Sequence, residues 1–297
     1  MTTSNPAENI ADSAKTNYPV VAGWTQLNGH TYVRSSPEWG ANTGLIVGSE
    51  KALVIDTGGG PRQAKELVAA VREITDLPLT LANTHAHYDH LFGNAYFRNH
   101  ESVMDIWAHH SVVRDLLESG LLQRKFVRGV EPEMEKAEGL DTEIDYPNRL
   151  LEETPVDLDL GGVTATLFFL GRAHSEGDML VGADGVLFAG DIVEEGGHPS
   201  FEDSFPHEWQ RVLGKIIAID ELYPIVVPGH GQPVDMDFVR MQFHKLRQGI
   251  RVCEAAIHEA STDYTKAIPV LPYGPLQSRH LLQRLKKTTA RAASSED

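Results

Sequence analysis

The stretch His85-Ala86-His87-Tyr88-Asp89-His90 constrains this chain more than any other. Four side chains able to ligate a cation fall within six residues, directly behind an apolar run at Pro78–Asn83 that suits a short buried strand. In an extended or turning segment, residues two apart point the same way. His85 and His87 can therefore grip one ion, while Asp89 and His90 lie just beyond and can turn to a second. A surface histidine cluster is the bland alternative, and a purification tag would be terminal rather than interior. With 14 histidines among 297 residues, chance gives this pattern in roughly two chains per thousand.

A cation site also needs donors from elsewhere in the chain. His174 follows the apolar run Leu167–Leu170, Asp191 closes Leu187-Phe188-Ala189-Gly190-Asp191, and His230 closes Val226-Val227-Pro228-Gly229-His230. Each polar residue follows a strand-like segment, where loops rise from a rigid sheet edge. Taken singly, each is a loop histidine or a turn aspartate; together with the first cluster they complete two donor sets.

The rest of the chain supplies the frame. Strand-like runs stand at His30–Arg34, Thr43–Val47, Ala52–Asp56, Val103–Ala108 and Ile225–Pro228. Hairpin signals join Val156–Leu160 to Val163–Leu170 across Gly161-Gly162, and Met179–Val181 to Val186–Ala189 across residues 182–185. A helix starting at Pro61 repeats Ala64, Leu67, Val68, Val71 and Ile74 on one face. Further helices are expected at Trp209–Leu222, 234–261 and 275–287, with 288–297 frayed, and 111–140 looks like a helical insertion able to cover a site. Residues 1–18 look like a flexible tail, 19–233 like the site-bearing domain, and 234–297 like a helical extension packed on it. Interleaved strands and helices in both halves call for sheets covered by helices.

On these motifs the chain resembles the metallo-β-lactamase superfamily, from about Gly23 to Gly231. The landmarks are Asp56 in Val54-Ile55-Asp56-Thr57-Gly58, His85-x-His87-x-Asp89-His90, His174, Asp191 and His230, in the expected order. The resemblance implies a four-layer αββα sandwich with the site at one edge of its two sheets. It further implies that His85, His87 and His174 hold a first metal, that Asp89, His90 and His230 hold a second, and that Asp191 bridges them. Two divalent ions lower the pKa of water toward roughly 7, making hydroxide available to attack a small ester, thioester, lactone or amide, and Asp89 is placed to orient the nucleophile or shuttle a proton. The all-N/O donor set suits zinc and leaves iron and manganese open. Asp56 is expected to steady a ligand loop, or else to be a plain turn aspartate.

Within the superfamily, Asp191 argues against antibiotic hydrolysis and resembles the glyoxalase II and lactonase types. The tyrosine of quorum-quenching lactonases and the basic residues of glyoxalase II are both missing from Ile192-Val193-Glu194-Glu195-Gly196-Gly197-His198. A different class stays open: persulfide dioxygenases of this fold bind a single iron, for which His85, His174 and Asp191 would serve. A β-lactamase-like amide hydrolase is a further alternative, and a non-catalytic binding module is disfavoured by the complete donor set. Trp39, Glu194 and His198 are candidate pocket residues.

Bulk properties narrow the partners. A formal net charge of −16 repels phosphate backbones, so the expected partner is a small molecule rather than nucleic acid. A single cysteine, Cys253 in the long C-terminal helical pattern, excludes an internal disulfide and reads as a buried structural thiol. Residues 1–15 lack a secretory h-region and no apolar run spans a bilayer, so the expectation is cytoplasmic and free of membrane, with homo-oligomerisation left open. Gly58-Gly59-Gly60 fails the nucleotide-loop spacing and no G-x-S-x-G elbow is present, so a turn and a non-serine chemistry are expected. His109 and His110 are read as helix entry or surface.

Overall fold

The computed structural model describes residues 18–259 and 264–294. The expected tail therefore lies, all but its last residue, outside the described residues. Eight strands build the first sheet in sequence order: β1 (Val20–Val21), β2 (Trp24–Gln26), β3 (Thr31–Ser35), β4 (Asn42–Val47), β5 (Ala52–Ile55), β6 (Leu79–Ala82), β7 (Ile106–His109) and β8 (Arg149–Leu151). Six build the second: β9 (Val156–Asp159), β10 (Thr164–Phe169), β11 (Met179–Ala183), β12 (Val186–Glu194), β13 (Ile225–His230) and β14 (Val234–Asp235), in the order β14-β13-β12-β11-β10-β9. The helices are α1 (Pro61–Arg72), α2 (Tyr88–Leu91), α3 (Asn94–Glu101), α4 (Ser111–Gln123), α5 (Pro132–Lys136), α6 (Pro206–Ile217), α7 (Met236–His258) and α8 (Pro275–Ser294). Among the described residues no helix is long and apolar enough to cross a membrane.

Apolar side chains sort these elements into four layers. Between the sheets, Ile46, Leu53, Ile55 and Ala82 meet Leu167, Val181, Phe188 and Val227. The outer face of the first sheet buries Leu45, Val54 and Leu81 under Ala64, Leu67 and Val71 of α1 and Phe97 of α3. Trp24 pins that layer by donating its indole N–H to the Ala70 carbonyl at 3.0 Å. The outer face of the second sheet packs against Trp209 and Leu213 of α6, Leu246 and Cys253 of α7, and Leu281 and Leu285 of α8. The αββα sandwich is thus the observed architecture, and Cys253 is a buried free thiol whose pKa burial pushes up to about 12.

Several boundaries differ from the sequence expectations, for physical reasons. The strand beginning at Val186 does not stop at Ala189; it runs to Glu194 because it is buried along its length and pairs in parallel with β13 through two register shifts. The helix expected over 234–261 begins at Met236, where Asp235 accepts the Phe238 N–H as an N-cap, and Val234–Asp235 form a short strand instead. The helix expected at Trp209–Leu222 starts earlier, at Pro206, a residue whose fixed φ suits the first turn, and ends at Ile217. The insertion over 111–140 is broken: α4 stops at Gln123, and the five-residue α5 ends at Ala137 in the left-handed region. Of the end expected to fray over 288–297, residues 288–294 continue α8, and 295–297 lie outside the described residues. The short β1, β2, β8 and β14 gave no sequence signal, since strands of two or three residues carry no periodicity.

His109 ends β7 and enters α4. Its Nδ1 accepts the Ser111 backbone N–H at 3.4 Å and lies 3.0 Å from Ser111 Oγ, and its ring stacks on Phe169 at 4.0 Å. Burial, then repulsion from His110, lowers its pKa to about 4. Below pH 6.5 the unfolded imidazole takes up a proton that the folded one refuses until about pH 4, so this stability is present above pH 6.5 and lost as pH falls. The loss at pH 5 is about 1–2 kcal/mol. The urea midpoint of His109→Gln should fall less between pH 7 and pH 5 than that of the parent chain; equal falls exclude His109 as the titrating group.

Candidate metal centre

The seven candidate residues come from five places that meet at one edge of the sandwich. His85 and His87 stand on the loop leaving β6, Asp89 and His90 in the first turns of α2, His174 between β10 and β11, Asp191 within β12, and His230 at the end of β13. Parallel pairing of β5 with β6 and of β12 with β13 points these segments toward the same end. The two sheets are stitched together there. Ala41 bridges to His230, and the Asn42 side-chain amide donates to the carbonyls of Pro228 at 2.8 Å and Gly231 at 2.9 Å.

The donor atoms form two groups, each closed within 4.8 Å: His85, His87, His174 and Asp191 in one, Asp89, His90 and His230 in the other. His87 Nδ1 lies 3.1 Å from His85 Nε2 and 2.9 Å from His174 Nε2. Asp191 joins the groups through separate oxygens. Oδ2 is 3.4 Å from His174 Nε2 and 3.7 Å from His85 Nε2, while Oδ1 is 3.2 Å from His90 Nε2 and 3.6 Å from His230 Nε2. Asp89 Oδ2 is 3.3 Å from His230 Nε2. The inward atoms His90 Nε2 and Asp191 Oδ1 are buried with no hydrogen-bond partner. Inward-facing imidazole nitrogens around carboxylate oxygens suit divalent cations, which replace exactly the partners such atoms lack.

Electrostatics point the same way. Burial opposes charge on His90, yet the carboxylates of Asp191, Asp89 and Asp56 hold its pKa well above the ordinary value. His230 is raised against burial to about 9, chiefly by Asp191. Asp191 itself lies well below the usual carboxylate range: burial works against its charge, but His90, His230, His85 and His174 surround it. The carboxylates thus draw positive charge into a dry site. Glu194, whose pKa is pushed up to about 8 by burial and then by Asp191, adds a carboxyl that resists ionisation at the rim.

Outer contacts fix the imidazoles. Asp56, at φ 63°, accepts the Thr84 N–H and the Thr84 hydroxyl, each at 2.8 Å, and its Oδ2 is 2.8 Å from His90 Nδ1. Thr84 Oγ1 is in turn 3.0 Å from His85 Nδ1, and the Trp39 carbonyl is 3.0 Å from His230 Nδ1. Gly229 is required by close approach, since a Cβ there would sit 1.9 Å from Asp191 Oδ1.

Three supporting residues escaped sequence reasoning. Asp178 accepts the backbone N–H groups of Ala173 and Ser175 and the Ser175 hydroxyl, which fixes the His174 loop. The Ser175-x-x-Asp178 spacing was a local signal for that turn. Trp209 sets its ring edge-on to His174 at 5.7 Å. Asp203 lies 3.0 Å from His87 Nε2 across 116 residues of sequence, with no local signal. Of the pocket guesses, the Trp39 ring packs on Tyr88 at 5.5 Å, Glu194 pairs with His230 between strands, and His198 is exposed and set edge-on to Tyr273 at 6.1 Å, touching none of the seven. From the insertion, Gln123 donates to the Ala86 carbonyl at 3.0 Å, so α4 braces the histidine loop.

The sequence profile described as metallo-beta-lactamase superfamily matches residues 36–230. A Gallus gallus protein named acyl-coenzyme A thioesterase MBLAC2 is 28% identical over 213 residues, 64% of this chain and 72% of that protein. Among solved structures, a metallo-beta-lactamase from Pontibacter korlensis aligns with a TM-score of 0.58 at 18% identity, over 75% of this chain and 98% of that one. A double mutant of the sec-alkyl sulfatase PisA1 aligns with a TM-score of 0.70 at 15% identity, over 90% of this chain and 50% of that one. At such identities the structural likeness speaks for the fold.

Replacing Asp56 by Asn keeps the side chain's size and removes the charge that anchors Thr84 and His90. Zinc affinity, read by chelator competition on the metal-free protein, should fall about 10–100-fold while far-UV circular dichroism stays unchanged. Unaltered affinity would show that Asp56 serves only the turn.

Proposed function

Because the chain belongs to the metallo-beta-lactamase superfamily and is therefore a hydrolase, we propose that its two histidine–aspartate groups hold two divalent ions, zinc first, and that it cleaves a thioester or a related small ester, lactone or amide. The single observation behind the two-ion reading is the carboxylate of Asp191, whose oxygens face different imidazole sets. In this reading His85, His87 and His174 ligate one ion, Asp89, His90 and His230 the other, and Asp191 both. Residues 19–233 are the catalytic unit and 234–297 its helical extension.

When bound, the ions act as Lewis acids toward a substrate oxygen and lower the pKa of water toward neutrality. The chain's own residues do the rest. Asp56 and the Trp39 carbonyl hold His90 and His230 with their Nε2 atoms inward. With two dications bound, the two aspartates would leave an excess of positive charge, which favours an oxyanion developing beside them. Asp89, buried to 9% exposure beside His230, would take the proton of the attacking water as the carbon–oxygen bond forms and pass it to the thiolate released when the acyl carbon–sulfur bond breaks. The thioester class is favoured by the Gallus gallus relative named as an acyl-coenzyme A thioesterase.

A one-iron dioxygenase reading would use His85, His174 and Asp191 alone, leaving His87, Asp89, His90 and His230 idle or hydrogen-bonding. Elemental analysis of protein purified without added metal separates the two: about two zinc per chain against one iron. Replacing Asp191 by Ala should lower zinc content below two per chain and abolish turnover across acyl-coenzyme A, acyl-glutathione, lactone, aryl ester and cephalosporin substrates. Full activity with unchanged metal refutes the two-ion assignment. Activity confined to cephalosporins refutes the thioester class.

A further inference from the structure

The segment 198–205 lies between the centre and the C-terminal helix α8, and one of its residues reaches a candidate ligand. Asp203 Oδ2 is 3.0 Å from His87 Nε2. His87 turns its other nitrogen, Nδ1, inward to His85 and His174. An acceptor at Nε2 fixes the ring's rotation and leaves the Nδ1 lone pair facing the group, as outer carboxylates do for ligating histidines elsewhere. His87 needs such a hold: its side chain is 24% exposed, while those of His85 and His174 are at most 1% exposed.

Asp203 is itself on the surface, its side chain 53% exposed, so its position must come from its neighbours. Two of these are buried and tied to α8. Phe201 N–H donates to Gln277 Oε1 at 3.0 Å, and the Ser204 carbonyl accepts from Arg284 Nε at 2.5 Å. Arg284 also lies over the Phe205 ring at 5.1 Å, and Phe205 N–H donates to the Ala173 carbonyl at 2.8 Å, next to His174.

We propose that Asp203 is the positioning residue for His87, and that α8 sets the geometry of the metal centre by clamping the Phe201–Phe205 segment through Gln277 and Arg284. This rests on the reading of His87 as a ligand. It assigns the C-terminal helices work at the site, although they contribute none of its donors.

The test is a zinc titration of the metal-free full chain against a chromogenic chelator. Asp203→Ala should weaken one of the two binding steps about 10–100-fold and leave the other within about twofold, because Asp203 touches only the His87 group. A general loss of structure would weaken both. The urea midpoint of the metal-free variant should match the parent's, since an exposed side chain is removed. Asp203→Asn, which keeps the acceptor oxygen, should recover part of the affinity. Gln277→Ala should weaken the same step about 3–10-fold in the parent and by less than about twofold in the Asp203→Ala background, because α8 acts through Asp203. Equal affinities of Asp203→Ala and parent at both steps overturn the positioning role. A Gln277→Ala effect of the same size in both backgrounds overturns the clamp. A parent chain that binds no divalent ion overturns this proposal together with the metal reading, whereas zinc binding without thioester cleavage leaves it standing.

Discussion

The carboxylate of Asp191 is buried among four imidazoles, and each of its oxygens serves a different pair. A lone carboxylate in so dry a place would be costly. Its surroundings answer that cost with positive charge: His90 and His230 hold protons well above their ordinary range, and Asp191 stays ionised against burial. The same field that retains protons there attracts dications. The site's electrostatics, its donor chemistry and its orphaned inward atoms are therefore consequences of where one side chain sits.

Much of the fold exists to hold that side chain in place. Strand β12 runs on past Ala189 with two register shifts, which carries Asp191 to the sheet edge while still paired to β13. Gly229 on β13 leaves the space that the carboxylate fills, and Gly190, at φ +50°, lets β12 pass close to Thr84. Thr84 then links three things: its carbonyl accepts from Met179 of the second sheet, its N–H and hydroxyl go to Asp56, and its Oγ1 meets His85. The sandwich core supplies rigidity, and the edge, where two sheets are laced through Asn42, supplies the convergence.

Around the donors runs a ring of residues that bind nothing themselves. Asp56, Asp178, Asp203 and the Trp39 carbonyl each hold a different imidazole or its loop. They come from distant parts of the chain, so the centre's precision depends on the whole domain, α8 included. Glu194, with its pKa near 8, stands at the rim in the field of the ionised Asp191. The two carboxyls differ because four imidazoles offset the burial of Asp191, while burial and then the charge of Asp191 raise Glu194.

The sequence alone picked out the candidate donors and their order. His85, His87, Asp89 and His90 are close in the chain, and His174, Asp191 and His230 each follow an apolar run, so local spacing and strand patterning exposed them. It also settled the layered sheet-and-helix class, because alternation and helical spacing are local properties. Tertiary structure decided the rest. Asp203 reaches His87 across 116 residues, and Asp191's oxygens divide between two imidazole sets only because β12 continues where local signals predicted its end. Contacts between distant segments depend on how sheets pair, bulge and pack, and no residue's immediate neighbours in sequence encode that geometry.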